Sequence, residues 1–309
     1  MSEKKRPWMV DYAIYLAVRV LVCVVQAMPI DVACSFARFL GWIAYKVDKR
    51  HRLVAIENLQ HAFPGQYSDS EVDRIVRRVY EHFCTMLIEI VFLPRKLHLH
   101  NYKRMIQLND AGRMSDAILS GRPVMFVTGH FGNWELASYT MGMFGVKGYA
   151  IARPLDNPYL DTYLRKFREK TGQTMLDKQG ALEHMVRIVA EGGVIGTLAD
   201  QDAGQRGMFV DFFGRPASTH KAIALLALEH NVPLIVGAMI RQGATYCMHV
   251  ADVILLEDYA SAPDAVRAIT QRFTSALERL VRVAPEQYFW VHRRWKHQPK
   301  PRAARKAAA

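Results

Sequence analysis

Cysteine is scarce in this chain of 309 residues: Cys23, Cys34, Cys84 and Cys247 are scattered, with neither a CxxC pair nor a Cys/His metal spacing. That argues against a disulfide framework and a zinc centre, and for reduced thiols in a protein facing the cytosol. No G-x-S-x-G elbow occurs, and no cysteine lies close in sequence to the histidine motif described below, so no covalent nucleophile is on offer. No internal repeat or low-complexity linker divides the chain. With half its residues apolar it can bury a sizeable core, and one globular unit with an N-terminal extension is the simplest organisation.

Acidic residues are missing from the C-terminal end, and basic ones are unevenly placed. Of the formal charge of +12, residues 1–52 hold +5 and residues 287–309 hold +7, so residues 53–286 sum to zero. A nucleic-acid enzyme more usually carries a basic stripe inside its folded domain. Cationic ends suit an anionic lipid surface, although solvated ends that only aid solubility fit the same counts. The tail after Gln298 reads as disordered.

A continuous apolar run follows Lys4-Lys5-Arg6, from Trp8 to Met28, long enough to span a bilayer but interrupted by Asp11 and Arg19. Three readings stand: a spanning or steeply inserted anchor, an interfacial helix, and a cleaved signal at Val25-Gln-Ala27, which Arg19 argues against. The next segment, Ile30 to Val47, sets Phe36, Phe39, Leu40, Trp42, Ile43 and Tyr45 beside Arg38 and Lys46, and suits an interface or the core. Residues 8–93 read as helical, broken at Pro29, Pro64 and Pro94, with an N-cap region at Ser68-Asp-Ser-Glu71.

From Pro123 the pattern alternates. Strand-like runs at Val124–Thr128, Tyr149–Ala152, Val194–Ala199, Leu234–Met239 and Tyr246–Val253 interleave with helical patterns at Asn133–Phe144, Pro158–Thr171, Ala181–Ala190, Ala217–His230 and Pro263–Val283. Such alternation predicts an α/β sheet with helices on both faces.

The most informative stretch is Val124-Met-Phe-Val-Thr-Gly-His-Phe-Gly-Asn-Trp-Glu135. An apolar strand ends at a glycine, His130 follows, and Glu135 comes five residues later. Five residues turn a helix by about 500°, so the pair cannot share one helical face. The spacing suits a strand end, a turn through Gly132 and a helix opening near Asn133. An imidazole and a carboxylate so placed can act as a general base and its orienter, and a structural role fits them as well. Amides near Asn133 and Trp134 would then face an oxyanion.

At these residues the chain resembles the bacterial lipid A biosynthesis acyltransferases, within the wider lysophospholipid acyltransferase group, whose signature is His, four residues, then Asp or Glu. The resemblance extends in order through Asn58-Leu-Gln-His-Ala-Phe-Pro64, Arg153-Pro-Leu-Asp-Asn-Pro158, Met175-Leu-Asp177, Asp200-Gln-Asp202, Phe209-Val-Asp-Phe-Phe-Gly214 and Pro285-Glu-Gln-Tyr-Phe-Trp-Val-His-Arg-Arg-Trp-Lys296. It covers roughly residues 8 to 297, and the last block is its most distinctive part. It implies an α/β fold of the glycerolipid acyltransferase type, a mixed sheet flanked by helices with an N-terminal helical membrane-associated region. It also implies transfer of an acyl chain from an acyl carrier protein thioester to a hydroxyl of a lipid A precursor at the inner face of the cytoplasmic membrane. The expected division is an anchor at 1–50, the catalytic domain at 51–297 and a basic tail at 298–309.

Within that resemblance His130 is the base and Glu135 its acidic partner, holding the imidazole tautomer as in a triad. No cofactor and no metal is expected, since no His lies at ligand spacing from Asp200 or Asp202. The acceptor of the resembling family carries phosphates, which singles out Arg153, just beyond a strand, and Arg168, at a position the family uses; a solvated helix face is the other reading of Arg168. Asp200 matches a family acidic position and is expected to contact substrate, with Asp202 the less favoured of the two. His292 reads as a packed residue. The aromatic and cationic mixture of residues 287–296 suits a headgroup level or a phosphate pocket, with nucleic-acid stacking as the weaker alternative. A lysophospholipid or glycolipid acyltransferase using acyl-CoA, and a catalytically silent membrane-binding protein of the same fold, remain the competing functions.

Overall fold

Four helices precede the sheet, and local sequence sets their ends. In the computed structural model, which describes residues 7–108, 112–152, 154–170, 172–177, 180–259 and 262–299, α1 spans Trp8–Ala27, α2 Ile30–Val47, α3 Lys49–Ala62 and α4 Asp69–Lys96. Pro29 separates the first two, and Ser68 with Glu71 forms a full capping box at the start of α4. Pro94 does not end α4 as expected. It sits in the last turn, where the missing N–H costs a single helical bond, and the ladder resumes with Leu97 N–H to Leu93 O at 3.0 Å.

The remaining elements, in order, are β1 (Ile106–Leu108), α5 (Gly112–Leu119), β2 (Val124–Thr128), α6 (Trp134–Met143), β3 (Gly148–Ala152), α7 (Pro158–Glu169), β4 (Thr174–Asp177), α8 (Ala181–Ala190) and β5 (Val194–Leu198). They continue with β6 (Met208–Phe212), β7 (Arg215–Thr219), α9 (Ala222–Glu229), β8 (Leu234–Gln242), β9 (Thr245–Ile254) and α10 (Ala265–Val283). The main sheet runs β1-β9-β8-β2-β5-β3-β4, parallel except for the antiparallel β8–β9 pair. The expected mixed α/β sheet with flanking helices is therefore the fold. Side chains alternate along β8: Leu234, Val236 and Ala238 join one core cluster with Ile269 and Phe273 of α10, while Ile235 and Met239 join the other with Met114 of α5 and Leu136 of α6.

The helix expected over Ala217–His230 starts later, at Ala222. Residues 215–219 instead pair antiparallel with residues 208–212, joined by a tight turn in which Phe213 (φ 55°) and Gly214 (φ 74°) are left-handed. α1 docks on α7. Asn157 Nδ2 donates to Asp11 O at 2.8 Å, Tyr12 packs edge-on against Tyr159, and the Arg19 guanidinium lies 4.9 Å from the Tyr163 ring centroid.

Candidate active site

Two parallel strands bring the candidate base to its partner. β2 pairs with β5 so that Thr128 lies opposite Leu198, and the ladder is extended by Ala199 N–H to Thr128 O at 2.8 Å. His130 and Asp200 each stand two residues further on and therefore meet at the C-terminal edge of the sheet, where open α/β sheets bind ligands. His130 Nδ1 lies 2.8 Å from Asp200 Oδ1, and the second carboxylate oxygen accepts the His130 backbone N–H at 2.8 Å. A carboxylate only accepts, so Nδ1 carries the proton and Nε2 presents a lone pair. Gly129 allows the approach: a Cβ there would stand 3.1 Å from Asp200 Oδ2.

The loop that carries His130 is tied on all sides. Gly132 has φ +61°, and a Cβ on it would fall 2.1 Å from Met239 O, which accepts the Asn133 N–H at 2.8 Å. The C-terminal block straps the loop from above: Gly132 N–H donates to Gln287 O at 3.1 Å, and Phe289 N–H donates to His130 O at 3.0 Å. Asn58 on α3 holds that strap in turn, donating to the carbonyls of Trp290 and His292 at 2.7 and 2.8 Å. From below, His82 Nε2 lies 3.1 Å from Gly132 O; burial pushes its pKa down to about 4, so the ring is neutral and donates. Asn133 caps α6 through Leu136 N–H at 2.9 Å, and its amide reaches Glu89 at 3.3 Å in a buried cluster with Arg241 and Tyr246. Trp134 and Phe289 wall the imidazole, at ring-centroid distances of 5.2 and 6.0 Å.

Glu135 does not orient His130 in this arrangement. It opens α6, whose axis carries it to α7, and there it forms a two-point pair with Arg168: Nε donates to Oε2 at 3.0 Å and an η nitrogen donates to Oε1. The place expected for Glu135 at the imidazole is taken by Asp200, which reaches it through strand register rather than through the helix turn. Arg168 is accordingly ion-paired beside the site rather than merely solvated. Arg153 lies outside the described residues. Asp202 faces away from the imidazole, 2.6 Å from His297 Nδ1, and its backbone N–H donates to His292 Nε2 at 3.1 Å. Between the two aspartates, the Gln201 amide nitrogen stands 3.4 Å from His130 Nε2.

Electrostatics favour a poised base. Burial acts to lower the His130 pKa, but the Asp200 charge and hydrogen bond outweigh it and the net shift is upward. Burial likewise acts to raise Asp200, and His130 with Arg294 draws it below the ordinary range. Arg294 is almost fully buried, donating to Ser218 O at 2.5 Å and Thr219 Oγ1 at 2.6 Å. Tyr288, fully enclosed next to Asp200, is held well above its usual pKa by burial and by that charge, and stays a neutral hydroxyl. Sequence reasoning passed over His82, Gln201, Tyr288 and Arg294. One signal was available for Asp200: like His130, it follows a strand-like apolar run within two residues.

Comparison with known proteins identifies the family. The family model for bacterial lipid A biosynthesis acyltransferases matches residues 1–297. The lipid A biosynthesis lauroyltransferase of Escherichia coli K12 is 28% identical over 293 residues, covering 92% of each chain. The palmitoleoyltransferase of the same organism is 25% identical over 278 residues, covering 88% of this chain and 87% of the relative. A lipid A biosynthesis acyltransferase of Haemophilus influenzae is 23% identical over 256 residues, covering 81% and 77%. With residues 1–297 matched, this chain is an acyltransferase and belongs to the bacterial lipid A biosynthesis acyltransferase family.

Proposed function

We propose that the protein transfers a fatty acyl chain from an acyl carrier protein thioester directly to a hydroxyl of a lipid A precursor, without an acyl-enzyme, at the cytoplasmic face of the inner membrane. The observation that carries the chemistry is the His130–Asp200 contact, which fixes the tautomer and leaves the Nε2 lone pair, 3.4 Å from the Gln201 amide nitrogen, as the proton acceptor. The acceptor hydroxyl gives its proton to Nε2 while its oxygen attacks the thioester carbonyl. The tetrahedral oxyanion then collapses, the C–S bond breaks, and the departing sulfur takes the proton back from His130. Asn133 N–H is engaged by Met239 O, so the oxyanion donors are the N–H groups of Trp134 and Glu135 in the first turn of α6, which have no intrahelical carbonyl to bond.

Glu135 acts in this reading through Arg168, holding a guanidinium at the site for an acceptor phosphate. Arg153, next in sequence after β3, is proposed to serve the same phosphates. An apolar cavity of about 290 Å³, lined by Met114 and Ile118 of α5, Ala137 and Met141 of α6, and Met239 and Met248 of the sheet, offers room for an acyl chain beside the helix that carries Glu135. Membrane attachment rests on α1, with a 20-residue apolar helix that is mostly uncovered, and on the exposed Phe36, Phe39 and Trp42 of α2.

The test uses purified full-length protein with radiolabelled acyl chains on acyl carrier protein or on coenzyme A, with and without a lipid A precursor. Product from the carrier-protein donor alone, with no protein-bound label when the acceptor is withheld, is the expected result. Exclusive use of acyl-CoA, or stoichiometric label surviving denaturation, would overturn the donor assignment or the direct step respectively.

A further inference from the structure

A second cleft lies away from the acyl-transfer site, where α2 crosses α4. Gly41 makes the crossing close: a Cβ there would stand 2.6 Å from Glu81 Cα and 2.8 Å from Tyr80 O. On one flank of the crossing, Arg38 and Trp42, one turn apart on α2, face Arg77 and Glu81, one turn apart on α4, with Phe39 on the rim; together they line a shallow, open depression of about 470 Å³. The Phe39 and Trp42 rings stack, with centroids 6.0 Å apart and planes inclined by 19°.

The charges in this cleft do not balance. Arg77 Nε lies 3.3 Å from Glu81 Oε1, whereas the Arg38 guanidinium donates to Ser35 Oγ at 2.9 Å and has no carboxylate partner among the described residues. Two guanidinium groups against one carboxylate leave a local positive charge with an unfilled donor fork, the geometry that takes a phosphate. Beyond the depression, the exposed face of α2 is apolar, with Val32, Phe36, Leu40, Ile43 and Val47 uncovered along it. A soluble anion would satisfy the arginines and leave those side chains bare. A lipid whose phosphate sits between Arg38 and Arg77 and whose chains run along α2 satisfies both, with Trp42 and Phe39 at the level where aromatic rings meet headgroups.

We propose that the Arg38–Arg77 cleft binds the phosphate headgroup of an anionic membrane phospholipid, at a site distinct from the one that holds the acyl acceptor. Its consequence is orientation. Glu81 is followed directly by His82, which bonds the Gly132 carbonyl of the catalytic loop, so a lipid held at the crossing fixes the height of that loop above the bilayer. The inference depends on these residues alone and is independent of the reaction assigned to His130.

The test is native mass spectrometry of the full-length protein released from detergent micelles doped with phosphatidylglycerol or phosphatidylcholine. Wild type is expected to retain phosphatidylglycerol about tenfold over phosphatidylcholine, and the double variant Arg38→Gln/Arg77→Gln to lose that preference while keeping its melting temperature. Phe39→Ala/Trp42→Ala is expected to reduce retention of both lipids. Three results would overturn the proposal: equal retention of the two lipids by wild type, a preference unchanged in the arginine variant, and loss of bound phosphatidylglycerol to inorganic phosphate at equal concentration, which marks a free-anion site. A second copy of the chain retained at the cleft and removed by the same substitutions would assign it to an interface instead.

Discussion

Asp200 grips His130 at two points, accepting from both the imidazole Nδ1 and the backbone N–H at 2.8 Å, so one carboxylate sets the tautomer and the position of the candidate base together. Asp200→Asn is predicted to lower kcat by about 10²–10⁴-fold with the fold retained, because the amide can present a donor to Nδ1 and reverse the tautomer. The pH profile adds a signature that a purely structural role lacks. The reaction needs neutral His130, whose pKa is raised by Asp200, so wild-type kcat/KM should climb with pH through a midpoint above 6.5. In the asparagine variant that support is gone while burial still depresses the ring, and the midpoint should move to lower pH. An unmoved midpoint would dissociate Asp200 from the titrating group.

Glu135 and Arg168 form a mostly buried two-point pair, so each singly substituted protein is left with an unpaired charge. Glu135→Gln and Arg168→Gln are each predicted to weaken acceptor binding and to destabilise the fold by about 3–5 kcal/mol at most. The double variant should lose much less than the sum of the two. Additive losses in thermal unfolding and in KM would show that the two residues act separately.

The turn that exposes His130 depends on a residue without a side chain. Gly132→Ala forces a Cβ to within 2.1 Å of Met239 O at a left-handed φ, so the loop must move and carry His130 away from Asp200. A rate loss of about 10²-fold or more is expected from such a misplacement. Wild-type rates from a folded Gly132→Ala protein would show that the loop adapts without moving its histidine.

The sheet was legible because buried parallel strands are continuous apolar runs: Val124–Thr128 and the helix Ala181–Ala190 have the expected bounds, and four further strands differ only at their ends. The short edge strands β1 and β4 and the β6–β7 hairpin carry too few periodic residues to announce themselves. At the site, the one-dimensional spacing from His130 to Glu135 drew the two into one catalytic pair, whereas the contact is made across the β2–β5 ladder, 70 positions along the chain. Strand order is a long-range property, and so Asp200 was placed near the substrate but not at the imidazole. Of the buried supports, His82 lies in a helical stretch where nothing local marks it, and Tyr288 and Arg294 lie in a block whose composition points to a site but not to Asp200 as the group they surround.

The apolar cavity between α5, α6 and the sheet makes acyl length testable. Ala137→Phe fills it from α6, and the variant is predicted to shift kcat/KM towards shorter acyl donors by about 10-fold per lost pair of methylenes. An unchanged chain-length profile would locate the acyl chain elsewhere.

The central claim is that His130 Nε2 is the proton acceptor in acyl transfer, and the rate of product formation by purified His130→Ala protein tests it most directly. With acyl carrier protein donor and lipid A precursor at saturating concentrations, the account predicts a loss of at least about 10²-fold in kcat in a variant that still folds and unfolds cooperatively. Turnover near the wild-type rate by the folded variant would contradict it.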